Sequence, residues 1–485
     1  MAFDSYAFFA LALVAISALR LCPPGLGKDA VLCVINLVFL ASFVATPVEA
    51  VPLLAFLAVG YLAICAAGKF RHTAVIGILV CSIIAVFIWL KQYAIVANVP
   101  GLSFVYLTIG LSYILFRVLH LIVDVAEGSA SVPSPLSYFN YTTFFLTFVS
   151  GPIALYRDFA GQMRQPASPM TPETLDRGLW RAATGYLFLL VLSVPLAYAA
   201  TKLQAIVYAS NDQHAWLKTS ASFAAAAAVY LLYLYVNFVA YMNIVIGIGQ
   251  LAGFSLPENF NKPYNATNFL DLWARWHITL SQWFKLYLFN PLLKAMAARW
   301  GGGAASNYLG AVAFFVTFGV MGVWHGTTGI FLAYGLALGL GATANKLWQV
   351  ELIGRLGKSG YRALCARAWY RHFARSSTLA YFAMALTCLW ITPARSSIFA
   401  VPFTWVCALT AFLLLAVLGA AAAAVQQFSA GRLTALGLSG AAVADRFARL
   451  HQRGAMVWNA AMIFLIVLLS TIANGYVPEI VYKGF

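Results

Sequence analysis

Long apolar runs separated by short polar breaks divide this chain almost from end to end, and a soluble fold has no place for them. Twelve such segments can be read, at 6–21, 30–46, 50–67, 74–97, 103–125, 183–200, 222–250, 305–323, 327–348, 377–392, 401–424 and 456–474. They are long and continuous and lack period-two alternation, so they predict helices. Only 9% of the 485 residues are charged and 62% are hydrophobic, whereas a soluble domain carries about 25% charged residues. A chain this short of charge must present side chains to lipid, where unpaired backbone groups force helices or closed barrels. The expected fold class is an all-α integral membrane protein of about 11–13 transmembrane helices plus re-entrant or interfacial helices.

Two stretches break the pattern. Residues 138–155 are apolar but short, and Ser150-Gly151-Pro152 interrupts them; a broken segment at membrane depth must be covered by other protein. Residues 257–300 carry Arg275, Lys285, Lys294 and Arg299, which would be costly at the bilayer centre. Trp273, Trp276 and Trp283 suit an interface, so this stretch predicts an amphipathic or partly re-entrant helix lying across the protein. No internal repeat is visible, which argues against transporter folds built from duplicated halves.

Thirty Lys and Arg against fourteen Asp and Glu give +16. The basic residues sit between apolar segments and form no stripe interleaved with aromatics. They predict contacts with membrane lipids and the positive-inside bias, not nucleic-acid binding. Arg20 and Lys28, Lys69 and Arg71, a basic loop at 355–375, and Arg446, Arg449 and Arg453 are all placed in the cytoplasm. That leaves the N- and C-termini extracytoplasmic. The seven cysteines are scattered without a CxxC pair and read as small core residues, not as a metal site or disulfide framework. Residues 1–5 lack a basic leader, so the first span is expected to remain as an anchor.

All fourteen acidic residues lie in loops or at span ends, Asp124 coming closest to the interior. Ion-coupled transport usually needs carboxylates near the midplane. What stands near membrane depth is histidine and amide: His325, His277, His120, Asn237 and Asn243. His325 lies in GVMGVWHGTTGIFLAYG, between two apolar segments. A neutral imidazole there can take a proton from an alcohol and pass it to a leaving group. Flanking glycines beside Trp324 and His325 would let backbone and substrate approach closely. The other reading is a buried histidine bonded to a carbonyl. His277, in ARWHITLSQW with Arg275 two residues before it, reads either as a site residue or as an interfacial anchor. No GxSxG, HExxH or P-loop pattern occurs.

Four blocks now stand in order: IGLSYILFRVLHLIVD (109–124), FFLTFVSGPIALYRDF (144–159), GFSLPENFNKPYNATNFLDLWARWHITLSQWFKLYLFNPL (253–292) and GVWHGTTGIFLAYG (322–335). Together they resemble the membrane-bound O-acyltransferase family, over roughly 80–350 and again at the C-terminus. The branch is the bacterial one that modifies extracellular polymers, by teichoic-acid D-alanylation or alginate O-acetylation. FRVLHLIVD and NFNKPY look more like the D-alanyl branch, and GPIALYRDF at least as close to the alginate branch. The resemblance implies a single polytopic domain over 1–485 with its catalytic core at 80–350. It also implies a ring of helices around a thin centre, with a funnel on the extracytoplasmic side. The family's catalytic histidine maps onto His325 and its second histidine onto His277. Where the family carries an acidic motif like YFDFSGYSDMAIG, this chain reads YVNFVAYMNIVIG. Asn237 and Asn243 replace both acids; Asn can hydrogen-bond but cannot stabilise an imidazolium by charge.

The chain ends NGYVPEIVYKGF, and its tail 475–485 is predicted to lie outside the cell. Tyr482, three residues before the terminal Phe485, matches an aromatic tail found in this branch or its partner subunit. The resemblance makes it an acyl relay, since an aryl ester is a good leaving group; the other reading is an interfacial tyrosine. The implied activity takes an acyl group from a cytoplasmic thioester, on acyl carrier protein or acyl-CoA, to hydroxyls of an extracytoplasmic polymer. D-alanyl is the first choice and acetyl the second, with no bound cofactor. A single-pass or secreted acyltransferase is the expected outer partner, and the cell inner (cytoplasmic) membrane the expected location. A transporter or flippase without catalysis is the competing class. The enzyme reading requires a water-accessible pit at residue 325.

Overall fold

The computed structural model describes residues 5–209, 216–301, 305–391, 406–421 and single positions between 454 and 468. Tyr482 and the tail 475–485 lie outside the described residues, as does most of the expected span 456–474. Among the described residues the chain is helical, with no strand beyond one isolated bridge between Phe260 and Trp276. It is an all-α integral membrane protein. The helices in chain order are α1 (Tyr6–Leu21), α2 (Leu26–Ala41), α3 (Val51–Lys69), α4 (Thr73–Leu90), α5 (Leu111–Glu127), α6 (Pro135–Thr142), α7 (Tyr156–Met163) and α8 (Pro172–Leu187). They continue as α9 (Val194–Ala209), α10 (Trp216–Ala252), α11 (Phe269–Trp273), α12 (Ile278–Phe284), α13 (Asn290–Trp300), α14 (Ala305–His325), α15 (Gly329–Ala366) and α16 (Ala368–Ala385).

Six helices among the described residues are long and apolar enough to cross a membrane: Pro47–Lys69, Thr73–Leu90, Pro172–Ala209, Trp216–Ala252, Tyr308–His325 and Gly329–Ala366. Other expected segments are shorter than their apolar runs suggested. The helix in 30–46 stops at Ala41, and the one in 103–125 begins only at Leu111, after Gly110 turns left-handed at φ 80°. A 16-residue helix such as α1 rises about 24 Å, short of a hydrocarbon core of about 30 Å. The basic segment 355–375 is helical on both sides of Arg367, with a non-helical Gly357 (φ 70°) inside α15.

The chain forms two compact units. The first comprises Met1–Leu190, Asn237–Glu258 and Met462–Phe485; the second comprises Val191–Val236 and Asn259–Ala461. In the first, α5 is buried nearly all round, although it carries Arg117 and His120. Between them they hold the end of α6, the broken stretch after it and the start of α7. Arg117 donates to the carbonyls of Tyr141 (2.9 Å), Thr142 (2.8 Å) and Thr147 (2.7 Å) and to the Thr147 hydroxyl (2.6 Å). His120 Nδ1 lies 3.0 Å from the Phe116 carbonyl, and its Nε2 accepts from the Tyr156 N–H at 3.3 Å. Asn36 accepts from the Phe145 N–H at 3.0 Å, and Tyr141 donates to the Ala154 carbonyl at 2.7 Å. Residues 143–155 are irregular, and buried side chains supply the partners that a helix would have supplied itself, as the covered-break expectation required.

In the second unit the closest packing is the α14–α15 hairpin. Its crossing point is Gly322 against Gly335. A Cβ on Gly335 would fall 2.5 Å from the Phe318 carbonyl oxygen and 2.7 Å from the Gly322 Cα. Only glycine permits backbones to meet this closely, and the contact fixes the end of α14, where His325 sits.

Candidate active site

His325 is the last residue of α14, and Gly326-Thr327-Thr328 turns the chain into α15. Its ring packs against Trp324 (centroids 4.7 Å, 63°) and Tyr334 (5.5 Å, 72°). Of the close approach expected at the glycines beside it, the structure shows that of backbone. Gly322 is taken up by Gly335 and the Phe331 carbonyl, and Gly326 lies against the Phe331 ring. His325 is 3% exposed, so almost all of its side chain is buried. The buried Thr328 hydroxyl, three residues on, has no hydrogen-bond partner among the described residues.

The stretch 257–300 is not one helix lying across the protein. A turn at 263–265 precedes the short α11, and after a break at 274–277 the chain runs without interruption from α12 through a widened turn at Lys285–Phe289 into α13. The break that matters is at His277, whose backbone is left-handed (φ 43°, ψ 55°). For a residue with a Cβ this conformation costs about 1–2 kcal/mol, so the surroundings must impose it. They do so by pairing 275–279 with 259–261. The Asn261 N–H donates to the Arg275 carbonyl (2.9 Å), and the Ile278 N–H to the Asn259 carbonyl (2.9 Å). The Asn259 side-chain oxygen then accepts from the Thr279 N–H (3.0 Å) and hydroxyl (2.8 Å). Phe260 and Phe382 pack edge-on against Trp276 at 5.2 and 5.0 Å. His277 is thereby held 1% exposed, within electrostatic reach of His325.

Asn259 was passed over in the sequence, although it acts as a remote cap for α12. Asn259→Ala should lower thermal stability by about 1–2 kcal/mol, the range for losing a helix cap. Asn259→Asp, which keeps the acceptor, should restore most of it. Unfolding midpoints of the two purified variants check this; equal midpoints would show that the cap does not hold the His277 turn.

Arg275 is not aimed at either histidine. It pairs with Asp271 at 2.7 Å and reaches the Asn261 carbonyl at 3.4 Å. In the first unit Asn237 is fully buried. The Asn243 side-chain oxygen accepts from Arg181 Nε at 3.1 Å, while both Arg181 Nη atoms pair with Glu258 at 2.5 Å. Asn243 thus completes a socket for an arginine whose carboxylate partner is Glu258. The structure therefore draws His277, His325 and Trp324 together, and gives Arg275 and Asn243 other partners.

A largely apolar cavity of about 330 Å³ lies between the α11–α12 stretch and α14, lined by Trp273, Ala274, Ile278, Ser281, Phe318 and Met321 among others. Ile278 follows His277 directly, and Met321 sits one turn before His325. The cavity belongs wholly to the second unit.

Comparison with known proteins places this architecture. The model of the MBOAT, membrane-bound O-acyltransferase family matches residues 58–350, which include both histidines. A teichoic acid D-alanyltransferase of Bacillus subtilis (strain 168) is 30% identical over 234 residues, 47% of this chain and 56% of that protein. A protein of Pseudomonas fluorescens named probable alginate O-acetylase AlgI is 28% identical over 237 residues, 48% of this chain and 44% of its own length. A teichoic acid D-alanyltransferase of Streptococcus thermophilus is 27% identical, over 50% of this chain and 57% of that protein. The chain thus spans about half the length of these relatives. With a family match across more than half of its own residues, the chain belongs to the membrane-bound O-acyltransferase family.

Proposed function

We propose that the chain is an O-acyltransferase that carries an acyl group from a thioester donor to hydroxyls of an extracytoplasmic polymer. The observation that carries this reading is that His277 and His325 are both buried and lie within electrostatic reach of each other inside the family-matched core. The donor is acyl carrier protein or acyl-CoA on the cytoplasmic side of the inner membrane. The acceptor is a polymer such as those named for the relatives, reached directly or through a single-pass or secreted partner. D-alanyl is the first choice of acyl group, following the relative of 30% identity, and acetyl the second.

In the proposed reaction an imidazole nitrogen of His325 removes the proton from the attacking hydroxyl. The alcohol oxygen bonds to the thioester carbonyl carbon, the C–S bond breaks, and the departing thiolate takes the proton from the imidazolium. His277, rigidly held by its turn, orients or assists. If Tyr482 relays the group, its phenol oxygen is the first attacker and the resulting aryl ester the second donor. His325 is buried, which limits the water around the reacting thioester.

The test is mass analysis of ester-linked groups on the extracytoplasmic polymer, in cells with and without the chain. Loss of D-alanyl esters is the expected result, and loss of acetyl esters would select the second acyl group. An unchanged ester content would contradict the enzyme reading.

A further inference from the structure

In the first unit, away from the histidines in the sequence, a polar cavity of about 470 Å³ has Arg20, Arg177, Gln162, Gln165, Gln250 and Ser255 in its walls. No carboxylate among the described residues lines it. Its cations are held by backbone oxygens. Arg20 donates to the carbonyls of Leu251, Ser168 (2.6 Å) and Gln250 (3.1 Å), clasping the C-terminal end of α10. A guanidinium has five N–H groups, so two remain. Arg177 spends one N–H on the Glu173 carbonyl at 3.3 Å and is otherwise exposed. Behind the wall, Lys28 is 2% exposed and donates to the carbonyls of Gln162 (3.1 Å) and Gln165 (3.2 Å).

The walls are rigidly joined. The Gln162 side chain donates to the Ser255 carbonyl (3.2 Å) and accepts from the Ser255 N–H (2.6 Å). Among the described residues, none of Arg20, Lys28 and Arg177 forms an ion pair with a carboxylate. Asp29 and Glu173 act on Lys28 and Arg177 only at longer range. Carbonyl partners leave a guanidinium its full charge, so two positive charges line a preformed cavity, with Lys28 behind its wall. Thr174, in the first turn of α8, also lines it and adds the partial positive charge of a helix start.

We propose that this cavity binds a phosphate group, as a monoester or diester, through Arg177 and the remaining N–H groups of Arg20. The planar fork of arginine matches phosphate oxygens in pairs. Two sources share this chemistry: the headgroup of an anionic phospholipid and a soluble phosphate ester. The positive-inside reading puts the Arg20–Lys28 connection on the cytoplasmic face, where basic pockets between helices meet anionic headgroups.

The test is titration of the full-length chain, stripped of lipid in detergent, read as the shift in its thermal unfolding midpoint. The probes are phosphatidylglycerol, diacylglycerol with the same chains, and inorganic phosphate. Because Arg20 clasps α10, the main variant is Arg177→Gln, with Arg177→Lys as the charge-preserving companion. Phosphatidylglycerol should raise the midpoint and diacylglycerol should not. Arg177→Gln should weaken the response about ten-fold or more, the effect of one lost charge-assisted hydrogen bond, and Arg177→Lys should restore part of it. A shift with phosphatidylglycerol alone identifies the headgroup; a shift with inorganic phosphate identifies the soluble ester. No shift with either phosphate probe, or an equal response from Arg177→Gln and the wild type, would overturn the proposal.

Discussion

Replacing His325 with alanine or glutamine should lower the rate of acyl transfer by about 10²–10⁴-fold, the range for removing a positioned general base. Glutamine is the sharper test. It nearly preserves the volume packed against Trp324 and Tyr334 and can hydrogen-bond, but it cannot accept a proton at useful strength. Alanine would also leave a hole in a ring that is 3% exposed, with a stability cost of its own. Initial rates must therefore be compared at equal amounts of folded protein. A glutamine variant that is as stable as the wild type but inactive would place the loss in the chemistry. One as active as the wild type would leave His325 a packing residue.

The largest expected effect on stability lies elsewhere, at Arg117. Arg117→Leu should cost about 3–5 kcal/mol, the scale for breaking a buried charged network by removing one partner. The side chain is 2% exposed and serves the last two carbonyls of α6 and the carbonyl and hydroxyl of Thr147 in the irregular stretch. Each acceptor stranded without water costs about 1–3 kcal/mol, and whole domains are stable by only about 5–15 kcal/mol. The leucine variant should fail to accumulate, or should unfold at a far lower midpoint in detergent. Arg117→Lys should fall between, because one ammonium cannot span carbonyls that the guanidinium reaches from two nitrogens. A leucine variant with the wild-type midpoint and a single sharp elution peak would mean that water or a backbone shift replaces the arginine.

Much of this was legible in the residues. The apolar run at 6–21 is α1 as read, and Ser150-Gly151-Pro152 announced the irregular backbone around it. The partners of that backbone were harder to see. Arg117 stands inside an apolar run, and a lone arginine there is itself a signal of a buried polar role. The reading of 103–125 as a plain span hid it. The FRVLHLIVD block contains Arg117 and His120, and NFNKPY contains Asn259. The structure shows these residues holding backbone in place. The blocks therefore speak for the scaffold, and the identity of the acyl group is not written in these three residues.

The reading of 257–300 as an amphipathic or partly re-entrant helix meets a continuous helix only from 278 to 300, and the break before it was hidden for a related reason. Local composition gives amphipathicity, but the left-handed turn at His277 is imposed from Asn259 and Asn261, up to eighteen residues earlier. Tertiary pairing overrides local preference at such a point, and strained backbone of this kind collects at functional sites. Asn243 was legible as an amide near membrane depth. Its contact with Arg181, which pairs with Glu258, was not, because these positions meet only in the fold.

The central claim is that the imidazole of residue 325 moves the proton when an acyl group leaves its thioester. Purified chain in sealed vesicles, given an isotopically labelled acyl thioester on one side and a hydroxyl acceptor on the other, tests it in one assay. The account predicts that ester-linked label appears on the acceptor with the wild type and stays at background with His325→Gln. Equal label with both proteins would contradict it.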